Sequence, residues 1–559
     1  MIEEHHAERD EDFPASLAAR CLRKHDEPLP WLTANGTGLH QFFGRERQAL
    51  ATIMAAAVYP SLYQLPARVW LEELGRDSGH CATLDQVPSN ALDRLAEQGF
   101  QWLWLMGVWQ TGEAGRRISL ANHDWRADYR RMLPDFQDED VVGSPFAIQA
   151  HTAHRDFGGD AALARFRERL ANRGIKLMLD FVPNHTAIDH AWAASHLEFY
   201  IHGSAEDLAR QPRDYYRLPS ISGAHMVAHG RDPYFPAWVD TLQLNYRHLG
   251  LRRAMQEELL EIAERCDGVR CDMAMLLLPD VMERTWGDKS RPMDGSPPID
   301  APFWPETIAM VKEQSPEFVF LAEVYWDLEW TLMQQGFDYT YDKRMYDRLR
   351  AQDAGAIRGH LWAADDFQRR SVRFLENHDE PRAAAAFPRE MHKAAALLTM
   401  LVPGVRFFQE GQLEGRQQRW NVHLRRRMDE PVDVGLQNFY ARVLELLKKP
   451  QLQRGSWRLS DWRPAWSGNS TWERFVVCWW SPPADAPQLP PLLVAVNFGP
   501  TQGQCVIPWP GGIGNKLLHL ADQMQPIEFQ REQADLVRHG LYLDLPAWGY
   551  HVFEVRPQI

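Results

Sequence analysis

The chain is poor in the features that mark several large protein classes. Its six cysteines, at 21, 81, 266, 271, 478 and 505, form no CxxC pair and follow no regular spacing. That excludes a thiolate zinc site and a disulfide framework, and fits buried free thiols in a reducing compartment. No apolar run reaches the length of a membrane span. The N-terminus, Met-Ile-Glu-Glu-His-His-Ala-Glu-Arg-Asp, is acidic and lacks the apolar core of a secretory signal. A cytoplasmic location without membrane association is therefore expected, and the sequons at Asn35, Asn184 and Asn469 read as chance matches. Positive charge is in deficit, with 61 Lys and Arg against 75 Asp and Glu and a net charge of −14. A phosphate backbone needs basic partners, so nucleic acid is disfavoured. Neither GxGxxG after the first strand nor GxxxxGK[ST] occurs, which removes the common nucleotide cradles.

What is present is aromatic weight. The chain holds 22 Trp, 25 Phe and 15 Tyr, rings that fill cores and also stack on sugar faces. A length of 559 residues exceeds one ordinary core, so two or three domains are expected.

From about residue 50 a unit recurs: apolar strand, loop, amphipathic helix. Strands are expected over 59–65, 101–106, 176–182, 269–274, 318–324, 337–341, 372–376 and 405–408. Helical stripes lie between them, Leu163, Phe166 and Leu170 on one and Met255, Leu259 and Ile262 on another. A further helix over 433–449 stops before Pro450. Eight such units predict an α/β fold, a (β/α)8 barrel, over 51–450. The third and fourth strands lie too far apart for one unit, so 186–245 reads as a small inserted domain, irregular and aromatic. The loop over 107–158 is also long. Beyond 451 short strands with Pro and Gly punctuation, and no helix signal, predict a C-terminal antiparallel β-sandwich. Residues 1–50 carry no period and form an N-terminal extension.

Three acids fall at or just beyond strand-like runs: Asp272 in Gly-Val-Arg-Cys-Asp, Glu323 in Phe-Leu-Ala-Glu-Val and Asp379 in Glu-Asn-His-Asp. Parallel barrel strands bring such acids to one face, where barrel enzymes carry their sites. A guanidinium favours the charged form of a neighbouring carboxylate, so Asp272, next but one to Arg270, suits a nucleophile. Glu323 has apolar neighbours, and an apolar setting suits a proton donor. Together they form the apparatus of a retaining glycosidase.

With these residues in view, the chain resembles the α-amylase family of glycoside hydrolases. Four segments match its conserved regions in order: Asp180-Phe-Val-Pro-Asn184-His185, Gly268-Val-Arg270-Cys-Asp272, Glu323 after Phe-Leu-Ala, and Asn377-His378-Asp379. The resemblance runs over about 55–555. It implies that Asp272 attacks the anomeric carbon to form a β-glycosyl ester. Glu323 would protonate the leaving oxygen, and Asp379 would bind hydroxyls of the distorted sugar. Arg270 would orient Asp272, His185 and His378 would bond sugar hydroxyls, and Asp180 would support that network. The substrate would be an α-glucan or α-glucoside. No cofactor is required. Asn184 matches a position that often binds structural calcium in the family, which leaves room for that ion with no ligand set defined; Asp240 is a candidate partner. Taken singly, each residue has a plainer role: Asp180 a helix cap, the histidines satisfied core groups, and Tyr325, Trp326 and Trp330 either acceptor-site walls or barrel packing.

The sequence also departs from the family. Met275 and Leu276 stand where many endo-acting members carry Lys-His, which should change the leaving-group side. Ser144-Pro145-Phe146 stands where many exo-acting members carry Gly-Tyr-Asp, with Phe146 taking the stacking face of the usual Tyr. The expected activity is hydrolysis of α-glucosidic bonds. A transglycosylase or isomerase using the same acids is the main alternative, and a non-catalytic carbohydrate-binding scaffold a remote one. Oligomeric state is left open.

Overall fold

A computed structural model describes residues 59–76, 81–220, 223–511 and 516–558. The expected extension over 1–50 lies outside them. Eight parallel strands close a barrel: β1 (Ser61–Pro66), β2 (Trp102–Met106), β3 (Lys176–Phe181), β4 (Gly268–Cys271), β5 (Val319–Ala322), β6 (Tyr339–Tyr341), β7 (Ser371–Arg373) and β8 (Val405–Gln409). They follow chain order around the ring, with β8 pairing back to β1. Each expected strand overlaps one of them. The apolar runs are continuous because both faces are covered, one by the barrel interior and one by helices. Gly268 shows how tight this is: a Cβ there would sit 2.7 Å from the Val319 carbonyl oxygen. The strand expected over 372–376 leaves the ladder early. Glu376 turns instead to Arg382 Nη1 at 2.5 Å and the Ala383 N–H at 2.6 Å.

The two expected helical stripes are buried as read, on Gly159–Ala171 and Leu249–Arg265. Pro450 does more than the expected stop. The helix Val434–Leu447 ends before it, and Pro450 opens a second short helix, Pro450–Arg454. Proline has no N–H to lose at a first helical position, so it starts a helix as readily as it stops one. The long loop after β2 holds two helices, Glu113–Ala121 and His123–Met132. The second is mostly charged and buries only Tyr129, so it shows no apolar stripe. The Asn122 side chain caps it, accepting from the N–H groups of Asp124 and Trp125 at 3.1 Å.

The insertion after β3 is built around antiparallel strands. His202–Gly203, Tyr215–Ser220 and Gly223–Ala228 form one small sheet, and His185–Ala187 pairs with Thr241–Gln243. After the barrel, a six-stranded antiparallel sheet packs on a two-stranded one. Phe475–Ser481 explains its own composition. Phe475, Val477 and Trp479 enter the sandwich core, while Val476, Cys478 and Trp480 join the barrel core. Alternation by two thus feeds two hydrophobic layers. Trp480 Nε1 also donates to the Leu401 carbonyl at 2.8 Å. A helix over Gln533–His539 is present where no helix was expected. It buries only Gln533 and Leu536, too little for a readable stripe.

Candidate active site

Arg270 on β4 is the centre of the site. Its side chain is fully buried, and a buried charge persists only when paired. Nη1 donates to Asp272 Oδ1 at 2.5 Å, and Nη2 lies 2.7 Å from Glu323 Oε2. Asp180 at the end of β3 adds a third carboxylate, 3.9 Å from Nη1. Phe146 and Trp104 cover the guanidinium at 5.4 Å and 5.2 Å from their ring centroids. One arginine therefore holds both the expected nucleophile and the expected acid. The sequence-based contrast, charge beside Asp272 and apolar surroundings for Glu323, is corrected here: Glu323 is also an ion-pair partner.

Burial still separates the acids. Glu323 is 2% exposed, and loss of water pushes its pKa up to about 7. Arg270 opposes that rise, while Asp272 and Asp379 add to it. Glu323 is thus poised to hold a proton near neutrality, as a general acid must. Asp180 is pushed up to about 6, again by burial. It accepts from Trp104 Nε1 at 3.1 Å and the Gly107 N–H at 2.8 Å. Gly107 has φ +72, and a Cβ there would meet Pro145 at 2.7 Å. This glycine lets the loop carrying Phe146 settle against the site.

Asp379 sits in the turn beyond β7. Its side chain is 52% accessible. The surrounding protein still raises its pKa, with Arg270 and Arg419 pulling the other way. His378 lies 3.1 Å from Asp379 through Nε2 and 3.0 Å from Gln64 Nε2 through Nδ1. With Gln64 donating at Nδ1, the ring proton is on Nε2 and points at Asp379. Burial first, then Arg270, holds His378 well below the usual histidine range, and burial lowers His185 as well. Both are neutral imidazoles at neutral pH, suited to bonding hydroxyls. Phe146 lies 5.3 Å from the His378 ring. The structure thus gathers Asp180, Asp272, Glu323, His378, Asp379 and Phe146 around Arg270, with His185 joined through its charge interaction with Asp272.

Two expectations change. Met275 and Leu276 are buried in the barrel core, so they do not line the leaving-group side. Met273 and Tyr325, which both bond Glu323, and nearby Trp326 are partly exposed instead, and Tyr234 from the insertion meets Trp326 at 4.9 Å. Asn184 does not offer itself to a cation. Its Oδ1 accepts from Gln243 Nε2 at 3.0 Å, and its Nδ2 donates to Gln243 Oε1 at 3.2 Å. Gln243 Nε2 also reaches the carbonyls of Asn184 and Leu244 at 3.0 Å, standing where three oxygens converge. Asp240 is buried with Oδ2 unpartnered and makes no bond to this pair. Among the described residues no group of three His, Cys, Asp or Glu side chains is arranged to hold a metal ion. The residues present do not fit calcium at Asn184. Gln243 and Gln64 lacked any local motif, and only their partners across the fold reveal them.

A closed parallel barrel with three carboxylates at the ends of β4, β5 and β7 has the architecture of a glycoside hydrolase. The model of the alpha amylase catalytic domain matches residues 149–442, just over half of the chain. The chain belongs to the alpha-amylase family. Over 273 residues it is 29% identical to Alpha-amylase MalA of Haloarcula japonica, covering 47% of this chain and 35% of that protein. Over 283 residues it is 23% identical to Alpha-amylase 3 of Dictyoglomus thermophilum, covering 46% and 51%. The matched region thus spans about a third to a half of the length of these curated relatives. In fold it is similar to the noncanonic maltogenic alpha-amylase AmyB from Thermotoga neapolitana, with a TM-score of 0.62 at 16% identity over 90% of this chain and 99% of that one. It is also similar to a trehalulose synthase mutant, with a TM-score of 0.59 at 15% identity over 89% and 99%. These likenesses are of fold alone. No described helix is long and apolar enough to cross a membrane.

The raised Glu323 pKa gives an expected pH profile. If Glu323 is the general acid, only its protonated form is active, so kcat/KM should fall with increasing pH through about 7. In Glu323→Gln that alkaline limb should disappear along with most of the activity. A limb unchanged by this substitution would assign it to another group.

Proposed function

We propose that this protein is a retaining α-glycoside hydrolase that cleaves α-glucosidic bonds of oligo- or polysaccharides through a covalent β-glycosyl–Asp272. The observation that carries the reading is the shared guanidinium, with Asp272 and Glu323 on adjacent nitrogens of Arg270. That arrangement favours the carboxyl separation of about 5–5.5 Å found in retaining enzymes over the roughly 6.5–9.5 Å of inverting ones. Asp272 attacks the anomeric carbon while Glu323 protonates the departing oxygen. Glu323 then takes a proton from the water that hydrolyses the ester. Asp379, open to the cleft beside neutral His378, binds hydroxyls of the reacting sugar. This reading requires no cofactor. Cys266, Cys271, Cys478 and Cys505 are buried free thiols, which supports a reducing, cytoplasmic setting.

One observation favours a second reading, transfer to a sugar instead of water. Tyr234 is 55% exposed and meets Trp326, three residues after the acid, edge to face. An aromatic wall there suits an acceptor ring. Product analysis with and without added maltose separates the two. Free reducing sugar should accumulate at the same rate in both; a shift to longer or isomeric products on adding maltose would mark a transferase.

A further inference from the structure

Glu323 has two carboxyl oxygens in unlike settings. Oε2 lies 2.7 Å from Arg270 Nη2 and accepts from the Met273 N–H at 2.7 Å. Both neighbours are donors that cannot accept. Met273 is one of few non-glycine residues with left-handed backbone, at φ +43. Such a conformation costs of order 1–3 kcal/mol and persists where the surroundings demand it. Here it turns the amide that follows the nucleophile toward the acid. A proton on Oε2 would face two other protons, so that oxygen is closed to it. Among the described residues Oε1 has one hydrogen-bond partner, the Tyr325 hydroxyl at 2.9 Å. A hydroxyl can donate or accept, and its hydrogen rotates to suit. Tyr325 is partly exposed, and it stands two residues after Glu323, on the same side of the extended chain.

We propose that Glu323 delivers and recovers its proton only through Oε1, and that Tyr325 is the positioning residue that steers it. This rests on the reading of Glu323 as acid and base. With Glu323 ionised, Tyr325 donates to Oε1. With Glu323 protonated, the tyrosine hydrogen rotates away and its oxygen accepts, fixing the carboxyl rotamer so that Oε1–H can swing to the glycosidic oxygen. As the bond from C1 to that oxygen breaks and the bond from C1 to Asp272 forms, the proton passes from Oε1 to the leaving oxygen. In the second half Oε1 takes one proton from water or an acceptor hydroxyl while that oxygen bonds C1 and the ester breaks. The charged and titratable groups facing Glu323 are Arg270 and Asp272 from β4, Asp379 beyond β7, Tyr341 from β6 and Tyr325 itself. Among the described residues, Tyr325 supplies the hydrogen bond to Oε1.

The test compares the intact wild type with Tyr325→Phe on two substrates, a maltooligosaccharide and α-glucosyl fluoride. Fluoride departs with little help from an acid; the sugar alkoxide needs one. The expected result is a kcat/KM lower by about 10- to 100-fold on the oligosaccharide and by less than about threefold on the fluoride. The alkaline limb should also move up by about one pH unit, because the lost bond stabilised the charged form. Turnover of the fluoride confirms that the variant is folded. Equal losses on both substrates, no loss on either, or an unmoved limb would overturn the proposal. If the reading of Glu323 itself were wrong, Glu323→Gln would lose as much on the fluoride as on the oligosaccharide, which marks that failure separately.

Discussion

Asp272→Asn is expected to lower kcat by on the order of 10⁴-fold or more while the protein stays folded. Asparagine has nearly the shape of aspartate, and its Oδ1 can still accept from Arg270 Nη1, now placed 2.5 Å from the carboxylate. The substitution removes the attacking oxygen anion and one negative charge. Glu323 and Asp180 remain to balance the arginine, so no buried charge is stranded. Circular dichroism and the urea midpoint should stay close to wild type. Binding of a non-hydrolysed oligosaccharide should survive, because Asp379, His378 and Phe146 are untouched. Activity within tenfold of wild type would sink the nucleophile assignment.

Arg270→Met should have the largest combined effect. The guanidinium is buried with three carboxylates around it, all at most 6% exposed. Removing one member of a buried ionic cluster strands the others, at a cost of about 3–5 kcal/mol. Methionine keeps much of the volume under Trp104 and Phe146, so the loss is chiefly electrostatic. The sign of the pH dependence follows. Without Arg270 the folded-state pKa values of Glu323 and Asp180 rise further, and stability falls as pH rises from the ordinary carboxyl range through those values. The gap to wild type should therefore be widest at neutral pH and narrow on acidification, as the stranded carboxyls take up protons. Urea unfolding at several pH values reads this directly. A gap independent of pH would mean that Arg270 acts by packing alone. Catalysis should be lost as well, since Asp272 and Glu323 both lose their anchor.

Much of this was legible in the chain. Leu103 and Leu105 on β2, and Leu177 and Leu179 on β3, belong to runs buried on both faces, and such runs, alternating with helices, read as strands of a covered parallel sheet. The acids could be ordered because each is close in sequence to its strand. Arg270 beside Asp272 was visible too, as a local pair. Its grip on Glu323 was not, because it depends on the pairing of β4 with β5, a contact between residues 53 positions apart. Gln243 lay further from view. It holds Asn184 across 59 positions, and an amide in a strand carries no motif. Phe146 stands beside His378 and Arg270, whereas Met275 and Leu276 are buried. Their short 3-10 turn, Ala274–Leu277, folds all four side chains into the core. Local pattern read which side chains are apolar, but only the turn decides whether an apolar side chain faces substrate or core.

The central claim is that a covalent bond to Asp272 carries the reaction, and trapping that bond tests it most directly. The wild type would be incubated with 5-fluoro-α-glucosyl fluoride, digested and analysed by mass spectrometry. The account predicts one fluoroglucosyl unit per chain, on the peptide that contains Asp272, released again as the ester slowly hydrolyses. A label on any other residue, or turnover of the reagent without any labelled peptide, would contradict it.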